Sequence, residues 1–169
     1  MRIKLLAGVL LIIILPVAAV AVAIAMNRPM LFDPPGFMER LSIYLRYNVA
    51  ETTDDPLLPE LRVRHYRLPE ETVKAAVDRT IRSLPRWKMV RAEGDVGAYQ
   101  AEVTSVIWRF RDDLSVLVTG SSSGEVEVYV HSASRVGRGD LGANRVHVLT
   151  FYEALERHLQ ENSQTPNNT

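Results

Sequence analysis

The chain of 169 residues balances 20 Lys plus Arg against 20 Asp plus Glu, is 47% hydrophobic, and has no cysteine. Without a basic excess there is no footprint for a phosphate backbone, so nucleic acid is not an expected partner. Without thiols there is neither a disulfide framework nor a thiolate metal site.

From Leu5 to Met26 the chain runs without a charge, amide or hydroxyl, behind Arg2 and Lys4. As a helix this run is roughly 33 Å long, against a hydrocarbon core of about 30 Å, so residues 1–26 read as an N-terminal transmembrane helix. A cleaved signal is the alternative, because Ala23-Ile24-Ala25 offers a small-x-small step, but the apolar core exceeds a signal's usual length of about 7 to 15 residues. Arg2 and Lys4 are denser than Arg28, Arg40 and Arg46 on the far side, which favours a cytoplasmic N-terminus and an extracytoplasmic domain. Pro16 removes one donor mid-run, which spanning helices tolerate.

Residues 27–61, with Pro29, Pro34, Pro35, Pro56 and Pro59, read as a proline-rich connection. Within it Phe37 to Tyr47 fits a short amphipathic helix whose apolar face is Phe37, Leu41, Tyr44 and Leu45, with Arg40 and Arg46 off it. Such a helix packs on the domain as a spacer or lies on the membrane surface.

Residues 62–160 hold the main domain. A strand at Arg62–Arg67 leads into a helix from Pro69 to Leu84, opened by Pro69, Glu70 and Glu71 and stopped by Pro85. Strands follow at 87–92, 98–103, 107–118 and 126–132, and a helix from Asn144 to Leu159 closes the domain. Residues 161–169 are polar and read as a disordered tail. The order β-α-β-β-β-β-α predicts an α+β fold: a mainly antiparallel sheet of about five strands with two helices on one face.

Alternation fixes the faces of the two long strands. Trp108, Phe110, Leu114, Val116 and Val118 share the face that Val126, Val128 and Val130 must match. Asp112, Ser132 and Ser134 then lie on the core side, while Arg109, Arg111, Asp113, His131 and Arg135 lie opposite. Pairing Val118 with Val126 would set Asp112 against Ser132 and Asp113 against His131. With Asp112 inside, replacing it by alanine is expected to leave buried donors unpaired, a larger loss than at Asp113.

The stretch Trp108-Arg109-Phe110-Arg111-Asp112-Asp113, followed by Ser132-Ala133-Ser134-Arg135-Val136-Gly137-Arg138-Gly139-Asp140-Leu141-Gly142-Ala143-Asn144-Arg145, resembles the DUF1499 family. That family's pattern is F-[KR]-D-D and then R-S-x-S-R-x-G-x-S-D-x-G-x-N, and the likeness covers about residues 60 to 160. It implies a bacterial or plastid-type domain of unknown function, often behind an export or membrane segment, and supplies no activity, cofactor or catalytic residue. The chain departs from the pattern at His131, where arginine is usual, at Gly139, where serine is usual, and at Val146-His147, where a second basic residue commonly follows.

Two physical accounts of this motif compete. In the first it is a structural corner: Gly137, Gly139 and Gly142 turn the chain, Asp140 or Asn144 caps the last helix, Arg135 pairs with Asp113, and serine hydroxyls hold Asp112. In the second the turn is a small-anion site, with backbone donors ringed by Arg135, Arg138 and Arg145. A cation site on Asp112, Asp113, Asp140 and His131 lacks a known ligand spacing, and a hydrolase reading lacks a nucleophile elbow. The tripeptide Arg138-Gly139-Asp140 is absorbed by the longer motif, and His65, His147 and His158 look scattered, each fitting a surface or helix face.

The sequence therefore points to a single-pass protein of the inner (plasma) membrane, its domain periplasmic or, after cleavage, secreted there. The expected role is a non-catalytic binding or assembly module without cofactor or metal, its partner an envelope protein or a small anionic ligand. The rival is an enzyme or anion-binding domain using Asp112, Arg135 and Arg138. An apolar ligand between helices and sheet is a third reading, and it requires a cavity.

Overall fold

The computed structural model describes residues 2–105, 109–121 and 124–164, with the side chains of 2–11 and 162–164 left aside. Ile107 and Trp108, assigned above to a strand, Ser122-Ser123 of the turn before Gly124, and residues 165–169 of the tail lie outside the described residues. In chain order the elements are α1 (Arg2–Met26), α2 (Phe37–Arg46), β1 (Val49–Glu51), β2 (Arg64–Tyr66), α3 (Glu70–Ser83), β3 (Trp87–Glu93), β4 (Ala98–Thr104), β5 (Arg111–Gly120), β6 (Val126–Ser134) and α4 (Ala143–Gln164). Single 3-10 turns occupy Pro59–Leu61 and Gly94–Val96.

The fold is α+β. Consecutive hairpins set the antiparallel order β6-β5-β4-β3, and both short strands extend β6 on its other side: β1 along 131–133 and β2 along 126–128. The sheet thus has six strands rather than about five. Strand β5 alternates as the sequence requires, with Asp112, Leu114, Val116 and Val118 buried and Asp113, Ser115 and Leu117 exposed. That inner face meets Val73, Val77 and Ile81 of α3 and Val148, Phe151, Tyr152 and Leu155 of α4 in one continuous core. Tyr152 reaches through it to donate to the Val128 carbonyl at 2.6 Å.

Three expectations are corrected. The register of β5 and β6 is two residues from the one assumed: Val118 pairs with Val128, Asp112 with Ser134 and Asp113 with Ala133, which leaves every face unchanged. Among the described residues β5 begins at Arg111, and just before it the Ser105 amide donates to the Phe110 carbonyl and the Phe110 amide to Ser105 Oγ, each at 2.9 Å. Alternation therefore does not reach Phe110, which is 57% exposed. Helix α4 continues to Gln164, through residues expected in the tail.

The stretch 27–61 is no mere connection. It contributes β1 to the sheet, and it buries Arg40, Tyr44, Leu58 and Leu61. Tyr44 of the expected apolar stripe is buried and Leu41 packs against the core, but Phe37 and Leu45 are exposed and Arg40, placed off that face, is fully buried. Hydrophobic spacing missed Arg40 because it is a charge that finds a partner. Arg40 donates to both oxygens of Glu60, at 2.7 and 2.9 Å, and also to the carbonyls of Asp33 and Pro34. Arg145 of α4 bonds the same Glu60 and the carbonyls of Asn27 and Arg28. This buried Arg-Glu-Arg cluster ties the chain that follows α1 to both helices and to the Pro59–Leu61 turn.

Helix α1 has 25 residues. Among the described residues no helix is long and apolar enough to cross a membrane, α1 counting there only from residue 12. From Ile12 to Val22 its aliphatic side chains are exposed, and only its last turn packs on the domain, through buried Ile24.

Candidate functional site

Beyond β6 the chain turns through the glycine-rich motif into α4. Asp140 makes the cap: one carboxylate oxygen accepts the Gly142 amide and the other the Asn144 amide, both at 2.8 Å. Gly142 needs its glycine because φ is +85°, and Gly139 needs its own because a Cβ there would collide with the Leu45 carbonyl. The serine usual at that place would not fit against the end of α2, where the Tyr44 and Tyr47 carbonyls accept the Leu141 and Asp140 amides. Asn144, fully buried, accepts from Ser132 Oγ at 2.7 Å and donates to Ser134 Oγ and to the Asn48 carbonyl.

These bonds bear on both accounts of the motif. The donors that would cradle an anion are taken by Asp140, and the three arginines do not converge. Arg135 pairs bidentately with Asp113, at 2.6 and 2.9 Å, and with Glu102 on the outer face. Arg145 is buried on Glu60, and Arg138 is exposed. His131 is also exposed, on the outer face with Asp113. A cation site on Asp112, Asp113 and His131 is likewise broken up, because Asp112 lies on the opposite face of β5. Gly137, Asp140, Gly142, Asn144, Ser132 and Ser134 share one hydrogen-bonded corner.

Asp112 is the exception. It is 2% exposed, and its Oδ1 accepts no hydrogen bond among the described residues. Burial pushes its carboxyl above the usual range, against the pull of the Ser134 hydroxyl. Its other oxygen lies 3.7 Å from Nδ1 of His147, too far for a hydrogen bond. Burial holds His147 down at about 4, so at neutral pH the ring carries no charge to offset the carboxylate.

Asp112 and His147 line a cavity of about 500 Å³ bounded by α4, by Ser105 and Phe110, by the glycine-rich turn and by the last turn of α1. Its walls are largely apolar, from Trp87, Val103, Phe110, Leu141 and Val146, with Ala23 and Met26 of α1 on one side. The indole of Trp87 stands edge-on to His147 at 6.3 Å. His147 lies on the wall of this cavity, which its place among scattered histidines did not suggest.

Ser132, His147 and Asp112 do not form a catalytic relay. In such a relay the acid and the nucleophile use opposite ring nitrogens. Here Ser132 Oγ, at 3.3 Å, and Asp112 both face Nδ1, and Ser132 is fully buried on Asn144. What the arrangement can do is accept a donor at Asp112 inside an apolar chamber.

The same geometry bears on stability. Asp112 holds few donors whose loss would cost anything, whereas its buried charge opposes folding. Because the folded pKa is raised, this penalty is full above that raised pKa and fades as pH falls from it toward the unfolded carboxylate range. Asp112→Asn is therefore expected to gain about 1 kcal/mol at pH 7, and Asp113→Ala to lose about 0 to 1 kcal/mol from its exposed pair. Thermal melts at pH 7 and pH 4 check both, and a clear loss at Asp112→Asn would mean that its carboxylate is structurally partnered.

A six-stranded antiparallel sheet covered on one face by helices, with a buried acid in a side cavity, defines an α+β domain with an internal chamber. The family model for proteins of unknown function (DUF1499) matches residues 29–155, and the chain belongs to that family. The match begins well before residue 60, in agreement with the structural part played by α2 and β1. No curated protein matches the chain. Among solved structures it is similar to TTHA0849 from Thermus thermophilus, at 10% identity and a TM-score of 0.37, over 60% of this chain and 97% of that one. It is also similar to Ara h 8.0201, at 10% identity and a TM-score of 0.42, over 68% and 98%. Likeness this distant says nothing of ligand or activity.

Proposed function

We propose that the protein is a membrane-anchored binding module that captures a small molecule in the cavity beside Asp112. The observation that carries the reading is a buried carboxyl group, one oxygen of which accepts no hydrogen bond among the described residues, in the lining of a largely apolar chamber of about 500 Å³. A polar atom held so is costly, and it is retained where a ligand supplies its partner.

Anchoring is supported by the apolar run through Leu5–Met26 and by exposed aliphatic side chains on α1. The proposed orientation keeps the N-terminus in the cytoplasm and the domain on the periplasmic side of the inner membrane. Arg2 and Lys4 stand closer together beside the apolar run than Arg28, Arg40 and Arg46 do after it, which makes them the stronger topological signal. A secreted form would differ only in losing α1.

Native and denatured mass spectrometry of protein extracted from membranes tests both parts. The expected result is a chain that retains residues 1–26 and carries a co-purifying small molecule that Val146→Phe, which fills the cavity, excludes. A species beginning at Met26 would overturn the anchor, and an unliganded chain indifferent to Val146→Phe would overturn the binding role.

A further inference from the structure

The cavity has a mixed lining. Asp112, Ser134 and His147 give it polar groups, and the last turn of α1 adds Ala23 and Met26 to its apolar wall. Met26 is 53% exposed, and Phe110 and Val136, at 57% and 75%, extend the apolar lining outward. The chamber is thus continuous with the surface of the helix proposed to sit in the bilayer. The bonds around α1's end keep this relation fixed: the Asn27 amide side chain donates to the Leu141 carbonyl at 3.0 Å, and Arg145 holds the Asn27 and Arg28 carbonyls. A wall made by the anchor itself suits a molecule that arrives along the anchor.

The polar groups select the head group. Asp112 offers an acceptor with no donor, and Asp140, a second lining carboxylate, is already filled by the cap of α4. His147 is uncharged at neutral pH. Arg86 and Arg111 also line the chamber, but both are exposed, and Arg111 faces Glu102 at 3.7 Å. An anionic head would face the carboxyl group of Asp112, whereas a primary ammonium would supply that group with donors and offset the charge of its ionised form.

We propose that the cavity takes the ammonium head of a single-chain membrane amphiphile, with Asp112 as its acceptor and the hydrocarbon tail lying along the last turn of α1 toward the bilayer. This inference rests on the anchored-binding reading above, and it adds the chemical class and the route.

The test is isothermal titration of the detergent-solubilised full chain with dodecylamine, dodecanol, dodecanoate and butylamine, in the parent protein and in Asp112→Asn and Val146→Phe. Dodecylamine is expected to bind at least tenfold more tightly than dodecanoate or butylamine. Asp112→Asn should remove that preference for the amine while leaving dodecanol unchanged. Because Asp112→Asn is isosteric and expected to melt no lower than the parent, loss of amine binding there cannot be put down to unfolding. Tightest binding by dodecanoate, or an amine affinity indifferent to Asp112→Asn, would overturn the head-group assignment even if Val146→Phe abolishes all binding and so upholds the cavity. Butylamine binding as tightly as dodecylamine would overturn the membrane route. No binding by any of the four would overturn this inference together with the binding reading beneath it.

Discussion

A chain begun at residue 55 is expected to lose cooperative unfolding, while one begun at residue 27 keeps it. Removing residues 27–54 strips β1 from β6 and exposes the backbone of residues 131–133. It takes away Tyr44, a buried side chain worth about 1.5 to 3 kcal/mol by burial alone. The Asn48 carbonyl goes as well, and with it an acceptor for buried Asn144, at about 1 to 3 kcal/mol for each group left unsatisfied. Arg40 is lost, so Glu60 keeps only Arg145. Together these losses approach the roughly 5 to 15 kcal/mol that holds an ordinary domain together. Circular dichroism melts of the two fragments decide the matter. A sigmoidal transition in the shorter one, at the temperature of the longer, would show that α2 and β1 are accessories.

That outcome separates what the sequence makes visible from what it hides. The limits of α3 were legible to within a residue because Pro69, Glu70 and Pro85 mark them chemically. The faces of β5 and β6 were legible because a period of two survives any even slip, and an even slip is what occurred. Strand β1 was not, since Val49–Glu51 is too short to show a period and lies among prolines. The Arg40–Glu60–Arg145 cluster was invisible for another reason: its members are 20 and 85 residues apart, and each charged residue taken singly reads as solvent-facing. The candidate site was half legible. Parity put Asp112 inside and paired Arg135 with Asp113, as found, but a cavity is a property of packing and carries no local pattern. His147 and the α1 wall could be placed only once α4 and α1 were docked.

The corner and the cavity also differ in what each residue contributes. Asp140 and Asn144 are saturated with hydrogen bonds, and substitution there should damage the fold and the ligand chamber together. Asp112 sits against the same turn, yet it is poorly satisfied and opposes folding. Under the proposed binding role, that cost to folding is offset when a ligand supplies the missing partner.

Glu60→Ala is the single substitution expected to damage the fold most. Burial by itself would raise the Glu60 carboxyl, but the guanidiniums of Arg40 and Arg145 outweigh it and hold the group down at about 2. Both arginine side chains are essentially unexposed, at 1% and 2%. Deleting the carboxylate leaves two like charges buried side by side, and breaking a buried pair in this way costs about 3 to 5 kcal/mol. Glu60→Gln should cost less, since the amide oxygen still accepts from one arginine. The acid response carries the same signature. Because the folded pKa lies below the unfolded one, near 4.5, the stabilisation is complete above about 4.5 and is lost as pH falls from there toward about 2. Thermal melts of the full chain in detergent between pH 7 and pH 2 should therefore show a fall below 4.5 that Glu60→Gln lacks in part, its stability being already reduced at pH 7. A Glu60→Ala variant within about 1 kcal/mol of the parent at pH 7 would mean that the two arginines find other acceptors, and that the carbonyls of residues 27–34 alone hold the chain after α1 onto the domain.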